Sequence, residues 1–159
     1  MAKKHHQRND DLIDALVWMR RHESSPICAT KNNVHVDMDA ISRLAVLVIK
    51  RLHQSVILRR KVVHIGGWTP TINRCHDNVA IWVAKNPQHK HVHGFIFVDL
   101  RPNATCIRLM AHSAVETEDG TLCDITPHEA SSDYPFIRHF GTEEEFELFG
   151  RVEYFDLPG

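Results

Sequence analysis

Apolar residues recur with helical spacing twice before residue 60. Leu12, Ala15, Leu16 and Met19 mark one face, beginning at Asp10 or Asp11 and stopping before Pro26. Ile41, Leu44, Ala45, Val48 and Leu52 mark a longer second face, capped near Asp37 or Asp39 and expected to run on towards Arg60. A short strand is expected over 62–65. Gly66-Gly67-Trp68-Thr69-Pro70 then breaks the rhythm, since two glycines and a proline favour unusual backbone angles. The helical pattern resumes at Cys75, with Val79, Trp82 and Val83 on one face, and ends at Asn86-Pro87. Strand patterns follow over 94–100, 105–116 and 121–125. The last third is less regular: a loop packed by Tyr134, Phe136 and Ile137, then a helix capped by Thr142 with Glu145 completing a capping box.

Three consecutive antiparallel strands after a helix give an α+β fold, not a doubly wound one. The expected architecture sets N-terminal helices and a central cysteine-bearing helix against an antiparallel sheet of three or more strands. Residues 1–159 read as one domain, with 1–9 a flexible tail and 75–127 the core of any site. A chain of 159 residues with 43% hydrophobic content can bury a core without disulfide staples.

Charge and cysteine usage narrow the classes. A net charge of −1 gives no field for nucleic acid or an anionic membrane, so neither is expected as a partner. No apolar run approaches the roughly 18 residues of a membrane span, and the polar start lacks a secretory signal. A cytoplasmic protein is expected. Cys28, Cys75, Cys106 and Cys123 are dispersed without Cys-x-x-Cys spacing, which favours reduced thiols.

A reduced thiol can be a nucleophile, and thiolate is its reactive form. Cys75 is placed for this role, because a helix N-terminus and a neighbouring imidazolium both stabilise thiolate. The base is expected from His112, with Asp124 fixing its orientation. That pairing depends on register. If Glu118-Asp119-Gly120 is a three-residue loop with Gly120 left-handed, Ala114 pairs with Asp124, and His112 and Asp124 become same-face diagonal neighbours roughly 7–8 Å apart. A two-residue turn would put them on opposite faces.

Cysteine at a helix start, then a histidine strand, then an aspartate strand resembles the papain-like and transglutaminase-like cysteine enzymes. His112-Ser-Ala-Val-Glu and Asp119-Gly-Thr-Leu-Cys-Asp124-Ile-Thr126-Pro127 look like the transglutaminase core pattern. The likeness covers about a third of the chain. It implies thiol-dependent acyl transfer on an amide or ester, as a peptidase, amidase, deamidase or transglutaminase-like enzyme, with a protein, peptide or small amide as substrate and no cofactor. His76 and Ser113 stand where an aromatic residue is usual, and no glutamine precedes Cys75 for an oxyanion hole. Backbone amides near Cys75, with Asn73, Asn78 and Trp68, are the candidates for oxyanion or substrate positioning.

Two rival readings keep the same residues. Thirteen histidines are many for this length. A zinc-binding protein would draw on Cys75, His76, His112 and Asp124, or on His89, His91 and His93, the pooled set being Cys75, His76, His91, His93 and His112. A non-catalytic binding module on the same fold is the other rival.

Overall fold

Asp37 accepts a hydrogen bond from the Ala40 amide and starts helix α1 (Met38–Lys50). Its buried stripe is Ile41, Leu44, Ala45, Val48 and Ile49, with Leu52 falling instead in a 3-10 turn, Leu52–Gln54. The helix does not run on towards Arg60. Two short strands take that stretch, β2 (Val56–Ile57) and β3 (Arg59–Arg60), because tertiary partners offer their backbones a ladder. The computed structural model describes residues 27–30, 36–99, 106–128 and 134–158. The expected tail, the first helix and the turn at 101–104 lie outside these residues.

The strand expected at 62–65 is absent. Only a bridge between Ile65 and Trp68 forms, closed by reciprocal backbone bonds of 2.8 and 3.1 Å over Gly66 and Gly67. Those glycines have φ of +51° and +87°, the left-handed region that glycine enters without penalty. The chain then reaches helix α2 (Cys75–Lys85), as its periodicity predicts.

The remaining strands are β1 (Ile27–Thr30), β4 (Lys90–Asp99), β5 (Cys106–Glu116), β6 (Leu122–Asp124), β7 (Pro135–Arg138) and β8 (Val152–Pro158). They form one sheet in the order β1-β8-β5-β4-β7-β2, with β6 joined to β5 and β3 joined to β6. Only β3–β6 is parallel among the described pairings. The fold is α+β on a mostly antiparallel sheet. The expected loop at Phe136 and Ile137 is strand β7, whose two side chains are buried on opposite sides of the sheet. Helix α3 (Glu143–Gly150) carries the capping box foreseen at Thr142 and Glu145.

One face of the sheet buries Phe95, Phe97, Leu109 and Ile137 against α1 and α3. The other buries Val92, Ala114 and Phe136 around Leu58. A third cluster, Val63, Val79, Val115 and Ile125, seats α2 against β5.

The edge of β5 is shared in an unusual way. Strand β8 pairs with residues 106–109 and β6 with residues 115–116. No strand among the described residues pairs with 110–114 on that edge. The start of α2 makes its contacts with β5 at this gap.

Candidate active site

The hairpin joining β5 to β6 has the register that the site requires. Val115 pairs with Cys123 and Glu116 with Leu122. The Thr117 amide donates to Thr121 O at 2.9 Å, and the Gly120 amide to Thr117 O at 2.8 Å. Gly120 has φ +80°, so Glu118-Asp119-Gly120 is a three-residue loop with its glycine left-handed. Asp119 braces the loop by accepting from the Thr121 amide at 3.1 Å and from the Thr117 hydroxyl.

Continuing that register sets Asp124 opposite Ala114, on the face that His112 shares. His112 Nε2 lies 3.2 Å from Asp124 Oδ2. The contact is off the line of a good hydrogen bond, leaving the buried nitrogen served by charge rather than by an aligned donor–acceptor pair. The other oxygen, Oδ1, accepts from the Thr126 amide at 2.8 Å, which holds the carboxylate in place. His128 Nε2 stands 4.0 Å from the same Oδ2.

Cys75 opens α2 half-buried. Burial alone would raise its pKa, but hydrogen bonds and positive charge from His112 and His76 outweigh it and lower the thiol to about 5. His112 is 8% exposed. Burial opposes its protonation, yet Asp124 and the Cys75 thiolate together raise it to about 9. The two shifts run in opposite directions, and both favour a thiolate–imidazolium pair. No side chain caps the start of α2, so its first amides keep their positive end turned to this site.

A cleft of about 440 Å³ opens over the pair. Cys75, His112, Asp124 and Asn73 line it, with Arg60, His128 and Tyr134. Arg60 bonds the His128 ring at 3.1 Å. Asn73 has φ +60°, a left-handed angle that asparagine tolerates better than most residues.

Two of the sequence-derived positioning residues lie elsewhere. Asn78 is 2% exposed and does not line the cleft. Its side chain accepts from the Thr71 amide at 2.9 Å and donates to Thr71 O at 2.7 Å and Thr126 Oγ1 at 3.2 Å. It is a strut tying the glycine-rich loop and the Asp124 segment to α2, and it has no donor left for an oxyanion. Trp68 packs with Trp82 on the apolar cluster beneath α2, again away from the cleft. Polar residues beside a cysteine look alike in sequence whether they face a substrate or a loop.

The histidines also divide differently. Strand β4 begins at Lys90, before the expected start, and so contains His91 and His93. His89 leaves the group: Trp82 Nε1 donates to its Nδ1 at 2.8 Å, and the two rings stack. In its place comes His76, whose Nδ1 lies 2.7 Å from Ser113 Oγ, while His91 Nε2 lies 2.7 Å from the same oxygen. His93 Nδ1 is 2.9 Å from Glu143 at the start of α3. His91 is lowered to about 4, first by burial and then by the charges of His93 and His76, with Glu143 opposing.

Adjacent residues of α2 therefore serve opposite faces of β5. Ser113 and His112 alternate across the strand; His76 bonds the first, and Cys75 lines the cleft together with the second. The unpaired stretch of the β5 edge makes this possible. His76 and Ser113 carried a signal in sequence, one beside the cysteine and the other beside the histidine. Glu143 and Arg60 carried none.

Compared with models of known protein families, with curated proteins and with solved structures, the chain matches none. No helix among the described residues is long and apolar enough to cross a membrane.

Proposed function

We propose that this protein is a thiol-dependent hydrolase or acyl transferase, in which Cys75 is the nucleophile, His112 the acid–base group and Asp124 its positioning carboxylate. The observation that carries this reading is one cleft lined by a thiol at an uncapped helix start and by a histidine whose ring nitrogen lies 3.2 Å from an aspartate. The architecture belongs to the reading: a cysteine-bearing helix laid against an antiparallel sheet, as in papain-like and transglutaminase-like enzymes.

The Cys75 thiolate attacks the carbonyl carbon of an amide or ester, and the carbonyl electron pair moves to oxygen. Amides of the first turn of α2 stabilise that oxyanion, with Asn73 the remaining side-chain candidate at the cleft. Collapse of the tetrahedral adduct expels the amine or alcohol, which takes the proton held on His112. The product is a thioester on Cys75. Neutral His112 then removes a proton from water or an acceptor amine, whose attack releases the acyl group and returns the thiolate. Asp124, facing Nε2, leaves Nδ1 for this proton traffic. Protein, peptide and small amide substrates all fit this chemistry.

Iodoacetamide labelling at pH 6 tests the reading. An ordinary thiol is under about 1% ionised there, whereas Cys75 is largely thiolate; the weaker intrinsic nucleophilicity of a low-pKa thiolate returns part of that gain. Cys75 is expected to label about tenfold faster than an ordinary thiol, and Cys75→Ala to abolish both fast labelling and any acyl-enzyme trapped by mass spectrometry. A Cys75 rate no higher than that of a simple thiol would overturn the proposal.

A further inference from the structure

Three imidazoles meet on the far face of β5: His91 and His93 take no part in this chemistry, while His76 also stands beside the Cys75 thiol and helps to lower its pKa. His91 and His93 project from the same side of β4, and His76 reaches them from the first turn of α2. One ring nitrogen from each lies within 4.8 Å of the other two. All three rings are half-buried, shielded yet within reach of an ion.

The rings are also held in place. Ser113 Oγ bonds His76 and His91 at 2.7 Å each. His93 stacks on Phe146 with centroids 4.3 Å apart and planes 7° from parallel. A carboxylate of Glu143 holds His93 Nδ1, the carboxylate–histidine arrangement that orients metal-binding imidazoles. These oxygen contacts engage one nitrogen of each ring: Nδ1 of His76, Nε2 of His91 and Nδ1 of His93.

We propose that His76, His91 and His93 form a binding site for a zinc-type divalent cation, with Glu143 as the orienting carboxylate and a fourth position open to water. The donor set decides the class of ion. Imidazoles suit zinc and its d-block neighbours, whereas calcium and magnesium require a shell of oxygens that this cluster lacks. Zinc–nitrogen bonds of about 2.0–2.1 Å in a tetrahedral site space their nitrogens roughly 3.3 Å apart. Binding therefore draws the three nitrogens together from separations of up to 4.8 Å. The site does not rest on the activity of Cys75, although it shares a helix turn with it.

The test uses the untagged full-length chain, stripped with chelator and titrated with zinc against a chromophoric competitor. One zinc per chain is expected. His91→Ala combined with His93→Ala should weaken it at least 100-fold, and Glu143→Gln by about 10- to 100-fold. Cys75→Ala should leave it unchanged. Thermal melting of each stripped variant separates a lost site from a lost fold, and His93→Gln gives a milder second variant. Cobalt(II) should give ligand-field bands without a thiolate charge-transfer band. Three results overturn the proposal: no stoichiometric zinc, zinc retained by the His91/His93 variant, or a cobalt–thiolate band that disappears in Cys75→Ala. The last places the metal on the nucleophile instead.

Discussion

His112 and His91 sit on opposite faces of the same two-stranded ladder, and their protonation is driven in opposite directions. Burial disfavours the charged form of both. On the His112 face a carboxylate and a thiolate reverse that penalty and hold the ring charged up to about pH 9. On the His91 face the nearest ionisable neighbours are two other imidazoles, which add to the penalty and keep the ring neutral down to about pH 4. Desolvation is common to both sites; the company each ring keeps decides the sign. One face is thereby suited to proton transfer and the other to lone-pair donation.

Asp124→Asn breaks the comparison most severely, because it removes the charge that sets the His112 face apart. Turnover by the proposed mechanism should fall on the order of 10⁴-fold, the loss seen when a catalytic triad is deprived of its carboxylate. The pKa of Cys75 should rise with it. Steady-state kinetics and the pH dependence of labelling read the two effects, and an unchanged profile would remove Asp124 from the site.

Gly94→Ala acts on the support beneath His112. Gly94 pairs with His112 across the ladder, and a Cβ there would strike the Ile137 carbonyl oxygen and the Phe136 ring. The Phe136 ring lies edge-on to His112 with centroids 6.3 Å apart. The substitution should cost about 1–3 kcal/mol and lower the melting temperature by roughly 2–12 °C. Calorimetry checks this; a neutral result would mean β7 can move away freely.

Histidine NMR on chelator-treated protein sharpens the contrast directly. The His112 ring should titrate near pH 9 and the His91 ring near pH 4. The rate of Cys75 labelling should rise as pH passes about 5, where thiolate forms, and acyl transfer should fall as pH passes about 9, where His112 loses its proton. These values belong to the coupled pair rather than to either group alone.

Ser113→Ala should have the smallest effect. It removes the oxygen shared by His76 and His91, costing about 1 kcal/mol of stability, while labelling of Cys75 changes less than in Asp124→Asn. Comparable damage to labelling would show that the two faces are one coupled network.

The residues that local rules govern were legible in the sequence. Asp37 and Thr142 cap their helices through contacts within three residues, so short motifs suffice to find them. The same holds for the β5–β6 hairpin: a left-handed glycine sets the loop length, the loop length sets the register, and the register sets His112 beside Asp124. Cys75 at a helix start followed from periodicity. Tertiary structure decided the rest. Residues 56–57, 59–60 and 135–138 became strands because distant backbones were there to pair with. Asn78 became a strut because Thr71 and Thr126 converge on it. The exchange of His89 for His76, and the arrival of Glu143, depend on how α2 and α3 dock at β4 and β5. Docking of that kind is set by side-chain packing between segments far apart in the chain, to which no local pattern of residues points.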